Sequence, residues 1–137
     1  MHPAHHAPTY QFQMIHNDTH EVLGNLRLSI GSTPHIERYA GHIGYGVLQE
    51  HRGHHYAARA VRLLIPLANQ FGIDPLWVTC DPENLASQRT LELAGAEFVE
   101  IVDVPKDCVI HRRGHPRKCR YRLQTSSPTP GAGGKLE

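Results

Sequence analysis

The stretch Arg52-Gly53-His54-His55-Tyr56-Ala57 has the make-up of an anion site. Ahead of it, Ile43, Val47 and Leu48 read as a strand, and a polar turn over 49–55 follows. Behind it, Ala57, Ala60, Val61, Leu64, Ala68 and Phe71 recur at helical spacing, which gives a helix one apolar stripe. A helix that starts after a glycine-containing turn leaves its first N–H groups without intrahelical partners. Those donors and the helix dipole both favour a negative group. A phosphate near residues 52–57 is therefore the first chemistry the chain suggests.

Three other clusters could do chemistry. Cys108, His111, His115 and Cys119 are residue types that bind zinc, although structural zinc sites usually use two well-separated pairs. Pro116 and two arginines interrupt the run, so a surface connection is the plainer reading and no metal is expected. His2, His5 and His6 could also chelate, but a loose tail accounts for them. Half of the chain's 14 Lys and Arg fall in the segment 106–122, namely Lys106, Arg112, Arg113, Arg117, Lys118, Arg120 and Arg122. A solvated charged loop, contact with a bound phosphate or an acidic acceptor, and an RNA patch are the three readings. Only Tyr121 interleaves, which disfavours nucleic-acid stacking, and the net charge of +1 argues against a general polyanion binder. The charged loop is preferred.

These residues need a frame. At 137 residues and 39% hydrophobic, the chain can build one modest core. No run approaches the roughly 18 apolar residues of a membrane span, and the start lacks a signal-peptide core. Three widely spaced cysteines do not describe a disulfide framework. A cytoplasmic protein is the expectation. Alternation predicts strands over 10–15 and 22–30 around a turn at 17–20, with Val22, Gly24, Leu26, Leu28 and Ile30 on one face. A third strand is expected over 39–48, and a helix carrying Pro66 runs to Gly72. A strand over 75–80, a second helix opening at Asp81-Pro82 and closed by Gly95, and strands at 98–104 and 121–123 complete the order β-β-β-α-β-α-β-β. The predicted class is α+β, with a mixed, mostly antiparallel central sheet. The domain spans 10–123, with tails at 1–9 and 124–137.

Arg52 to Ala57 resembles the Arg/Gln-x-x-Gly-x-Gly/Ala signature of the GNAT superfamily of N-acetyltransferases, with His55 in place of the central glycine. Residues 81–96 resemble that family's later motif, Asn-x-x-Ser/Ala leading to Gly-Phe, with Ala96 where Phe is usual. The resemblance implies the three-layer acyl-CoA N-acyltransferase fold from its second strand onward. The family's first strand and first two helices, which help wall the acceptor site, have no counterpart in the sequence. A homodimer that completes the pocket, or weak or lost acceptor binding, would follow.

The resemblance also assigns roles. Acetyl-CoA would be the donor. Its pantetheine arm would pair with Val47, Leu48 and Gln49, and an N–H near Val47 would face the thioester oxygen. The pyrophosphate would rest on Gly53, His54, His55, Tyr56 and Ala57, with Arg52 adding charge. His55 is tolerable there if its backbone stays helical and its ring points outward. Asn84 and Ser87 would lie beside the pantetheine, a helix cap being their other reading. Leu91 occupies the place of the family's tyrosine acid, leaving Ser87, water or Cys80 as the proton donor. His42, Tyr45, Asp81 and Glu83 are the candidate bases. The acceptor would be a primary amine, on a small molecule, a protein N-terminus or a lysine. A non-catalytic acyl-CoA-binding module of the same fold is the alternative, and no membrane or nucleic-acid partner is expected.

Overall fold

The computed structural model describes residues 8–126. Six strands form one sheet: β1 Thr9–Ile15, β2 Val22–Ser29, β3 Ile43–Val47, β4 Leu76–Cys80, β5 Glu97–Asp103 and β6 Arg117–Leu123. Their spatial order is β1-β2-β3-β4-β6-β5, and of the pairings only β3–β4 is parallel. Helix α1 (Tyr56–Gln70) links β3 to β4, α2 (Leu85–Leu93) links β4 to β5, and the short α3 (Val109–Arg112) sits before β6. The mixed α+β architecture and the order of strands and long helices are those the sequence predicts.

Alternation builds the first hairpin. Tyr10, Phe12 and Met14 stand opposite Leu28, Leu26 and Gly24, while Gln11 and Gln13 stand opposite Arg27 and Asn25. One face is apolar and the other polar, as period two requires. The apolar face is closed by α1 through Val61, Leu64 and Ala68. Leu76, Val78 and Cys80 of β4 and Leu91 of α2 join the same core, so both long helices cover one side of the sheet. Each large aliphatic buried there contributes about 1.5–3 kcal/mol. Trp77 and Thr79 point the other way. The Trp77 ring lies under the Arg120 guanidinium at 4.0 Å, and Thr79 Oγ1 donates to Tyr39 O at 2.8 Å.

Several boundaries differ from expectation. The third strand begins at Ile43, not near residue 39, because Ile36–Ala40 winds into a π-turn. Gly41 ends that turn at φ 75°, where a Cβ would meet the β4 backbone at 3.1 Å. Helix α2 begins at Leu85 and not at Asp81-Pro82, since Asn84 caps it. Strand β6 starts at Arg117, four residues early, because β5 pairs with it along its whole length. Val22 lies at the exposed start of β2. At the ends, β1 already includes Thr9, and past β6 the Thr125 N–H donates to Asp74 Oδ1 at 3.0 Å. His2, His5 and His6, and the tail from 127 onward, lie outside the described residues.

Candidate active site

Strands β3 and β4 pair at a single position, Ile43 with Val78, and part beyond it. On its other side β3 stays paired to β2 through Val47, and Leu48 N–H donates to Leu23 O at 2.8 Å. Antiparallel alternation then turns the N–H and C=O of Tyr45 and Val47 into the split. Arg52 Nε reaches back to Val47 O at 3.1 Å and ties the turn to the strand end.

The split opens into a cleft of about 460 Å³. Gly46 and Val47 of β3, Arg52 to Ala57 without His54, and Asn84 and Ser87 of α2 all line it. Helix α1 has no side-chain cap, and its first amide bond runs from Arg59 N–H to His55 O at 3.2 Å. The amides before Arg59 are therefore free for a ligand. His54 stays outside the cleft and stacks on Tyr56 with centroids 5.3 Å apart.

His55 departs from expectation. Its backbone is not helical but left-handed, at φ 62° and ψ 25°. That region costs a residue with a Cβ roughly 1–2 kcal/mol, and glycine nothing comparable. The turn keeps the glycine geometry while carrying an imidazole.

The opposite wall is α2. Asn84 Oδ1 accepts from Ser87 N–H at 3.1 Å, so the capping reading holds, and both residues also line the cleft. The Ser87 hydroxyl lies 2.6 Å from the Tyr45 hydroxyl. Burial pushes the Tyr45 phenol up to about 12, more than the Ser87 hydrogen bond lowers it. Tyr45 thus keeps its proton at neutral pH and cannot serve as the base that the sequence allowed. Burial, reinforced by Cys119, likewise lifts Cys80 to about 11.

His42 is excluded from the cleft. Its side chain is fully buried (0% exposed), with Trp77 N–H donating to Nδ1 at 2.9 Å and Ser32 Oγ 3.1 Å from Nε2. Burial lowers its pKa, outweighing the Glu37 charge. It is therefore not placed to act as the base that the sequence allowed. Leu48 and Gln49 lie past the strand and do not line the cleft. Leu91 is also fully buried, under α2.

Sequence reasoning missed Arg89. With Ala86, Thr90 and Leu93 it lines the cleft, and their spacing marks one helix face that could have been read. The 106–122 cations are largely spent: Lys118 on Asp81, Arg117 on Glu83, Arg120 on Glu100 and Arg122 on Glu97. The suspected zinc residues do not converge. Cys108 approaches His35 at 4.0 Å, His115 binds Asp81 at 2.6 Å, and Cys119 faces the core opposite Cys80.

Residues 1–97 match the sequence profile of the acetyltransferase (GNAT) domain. The chain belongs to the GNAT acetyltransferase family. No curated protein matches it significantly in sequence. Among solved structures, this GNAT domain is similar to a ribosomal-protein alanine acetyltransferase from Vibrio fischeri, at 18% identity and a TM-score of 0.66, over 89% of the chain and 64% of that protein. It is also similar to a GNAT-family acetyltransferase from Bacillus anthracis, at 19% identity and 0.64, over 85% of the chain and 67% of that protein. An aminoglycoside acetyltransferase solved with coenzyme A and kanamycin matches at 18% identity and 0.63, over 85% and 66%. The chain thus spans about two thirds of those proteins, and less of the first. No helix among the described residues is long and apolar enough to cross a membrane.

Proposed function

We propose that the protein is an acetyl-CoA-dependent N-acetyltransferase that passes an acetyl group to a primary amine by direct attack on the thioester. The observation that carries this reading is the β3–β4 split running into the uncapped start of α1 within one cleft. The free amides of the turn and α1 suit the diphosphate, and Arg52 adds charge. The edge of β3 suits the pantetheine arm, and an N–H of Tyr45 or Val47 would meet the developing oxyanion. The Ser87 hydroxyl would protonate the departing thiolate and recover its proton from Tyr45, which burial keeps protonated. Ser87 thereby takes the place that Leu91 leaves vacant.

Kanamycin beside coenzyme A in a structure of the same fold supports an amine acceptor of this general kind. A protein N-terminus, a lysine and a small polyamine are the other candidates. A homodimer that walls the acceptor side belongs to the same proposal.

Calorimetric titration of coenzyme A tests the cofactor site. Micromolar binding that disappears in Gly53→Pro is expected; no binding at millimolar ligand, or unchanged affinity in the variant, rejects it. The buried Leu91 favours a second reading, a non-catalytic acyl-CoA-binding module. Thiol release from acetyl-CoA with a panel of amines separates the two, since the module would bind without turnover.

A further inference from the structure

Transfer to an amine needs a group to remove the amine's proton, and the imidazoles that line the cleft, His51 and His55, belong to the turn that the reading above gives to the diphosphate. His42 is locked on the β4 backbone and the Tyr45 hydroxyl is committed to Ser87. The face of the split turned away from α1 and α2 offers a different set. By alternation Gly46 of β3 projects to that face, where a Cβ would meet no atom within 4 Å. Asp81 follows Cys80 at the open end of β4 and shares the face of Thr79. The β3 side of the split is thus bare backbone and the β4 side carries a carboxylate.

That carboxylate is built into a dyad. Its Oδ2 lies 2.6 Å from His115 Nδ1, and Lys118 Nζ stands 3.1 Å from Oδ1 as an ion pair without an aligned hydrogen bond. Burial alone would raise the Asp81 carboxyl, yet the charge of Lys118 and the hydrogen bond from His115 hold it below the usual carboxylate range. An ionised Asp81 accepts, so Nδ1 donates, and the neutral ring presents its lone pair at Nε2. Among the described residues Nε2 has no hydrogen-bond partner, and the side chain is 41% exposed. The backbone at His115 is anchored as well, since its main-chain N–H donates to Ile110 O at 3.1 Å. The other charges nearby are the Glu83–Arg117 pair and His111 on α3.

We infer that His115, oriented by Asp81, accepts the proton of the acceptor amine, which enters over Gly46 from the sheet face opposite the long helices. This rests on the acetyltransferase reading above. The ammonium proton passes to Nε2 directly or through one water, and the freed nitrogen forms its bond to the thioester carbon. The C–S bond then breaks as the nitrogen gives its second proton to solvent, the thiolate takes a proton from Ser87, the Ser87–Tyr45 pair regains one from water, and the imidazolium returns its proton to solvent. Asp81 is a positioning residue that fixes the tautomer and the orientation of the ring.

The test is thiol release from acetyl-CoA with spermidine, kanamycin and a peptide bearing a free α-amino group, run across pH alongside calorimetry with coenzyme A. His115→Gln is expected to lower kcat by on the order of 10²-fold and to remove the acidic limb of the profile, with coenzyme A affinity unchanged. Asp81→Asn is expected to move that limb to lower pH, a shift that a merely structural role would not produce. An unchanged profile in His115→Gln overturns the inference, as does wild-type protein that binds coenzyme A but turns over none of the three amines. Wild-type protein that fails to bind coenzyme A sinks the acetyltransferase reading itself, a separate and recognisable result.

Discussion

The two helices that border the cleft begin in opposite ways. Helix α2 satisfies its own start, with the Asn84 carbonyl taking the Ser87 amide at 3.1 Å. Helix α1 begins at a left-handed histidine without any side-chain cap. A cap of the Asn84 kind is worth about 1 kcal/mol to a helix, so α1 gives up stability that α2 keeps. In the function proposed above, the difference separates the end that would take a ligand from the end that would not. The amides of α1 are free for an anion, whereas α2 offers side chains, Ser87 and Arg89. One helix recognises through backbone, the other through chemistry that mutation can remove.

That contrast can be broken most severely at the turn. Gly53 has φ 94°, which proline cannot adopt, so Gly53→Pro is expected to weaken coenzyme A binding by more than about 100-fold, roughly 2.7 kcal/mol. On the α2 side, Ser87→Ala should leave coenzyme A affinity intact while lowering kcat by on the order of 10²-fold. Tyr45→Phe should do the same to a smaller degree. If Ser87→Ala loses binding and not turnover, the division of labour between the helices is wrong. The sharper comparison is a pair of conservative changes. His55→Gly should raise stability by about 1 kcal/mol through relief of the left-handed backbone, without weakening coenzyme A binding. Asn84→Ala should cost about 1 kcal/mol for the opposite reason. Urea denaturation of both variants reads the two signs directly.

What was legible in the sequence divides along the same line. The helix stripe, the hairpin alternation and the Gly72 stop are local patterns, and each produced its element. The cleft was legible too, because a turn and a cap leave signatures within a few residues. The failures are long-range. His42 reads as a usable imidazole until Trp77, thirty-five positions later, donates to its ring. The basic run reads as free charge until Glu83, Glu97 and Glu100 are folded against it. Nothing near His115 in the chain announces Asp81, thirty-four residues back. The π-turn at Ile36–Ala40 takes the first two residues of the strand expected over 39–48, and Gly41, which must fit against β4, ends it.

The smallest expected effect concerns that same carboxylate and separates its structural share from its proposed chemical one. Asp81 is held below the ordinary carboxylate range by Lys118 and His115 in spite of burial. A group whose folded value is depressed stabilises the protein above its unfolded value, about 3.9, and that contribution is lost as pH falls through the folded value. Asp81→Asn should therefore be less stable than wild type at pH 7, with the gap narrower at pH 3, below the ordinary carboxylate value. Because the carboxylate is still partly exposed to water, at 28%, the gap should stay near or under about 1 kcal/mol. Asp74, lowered mainly by the Thr125 amide, has the same sign and cancels when variant and wild type are compared. Urea denaturation at the two pH values measures the gap. If it is as large at pH 3 as at pH 7, Asp81 acts through packing and not through charge, and the ionised dyad at His115 loses its electrostatic basis.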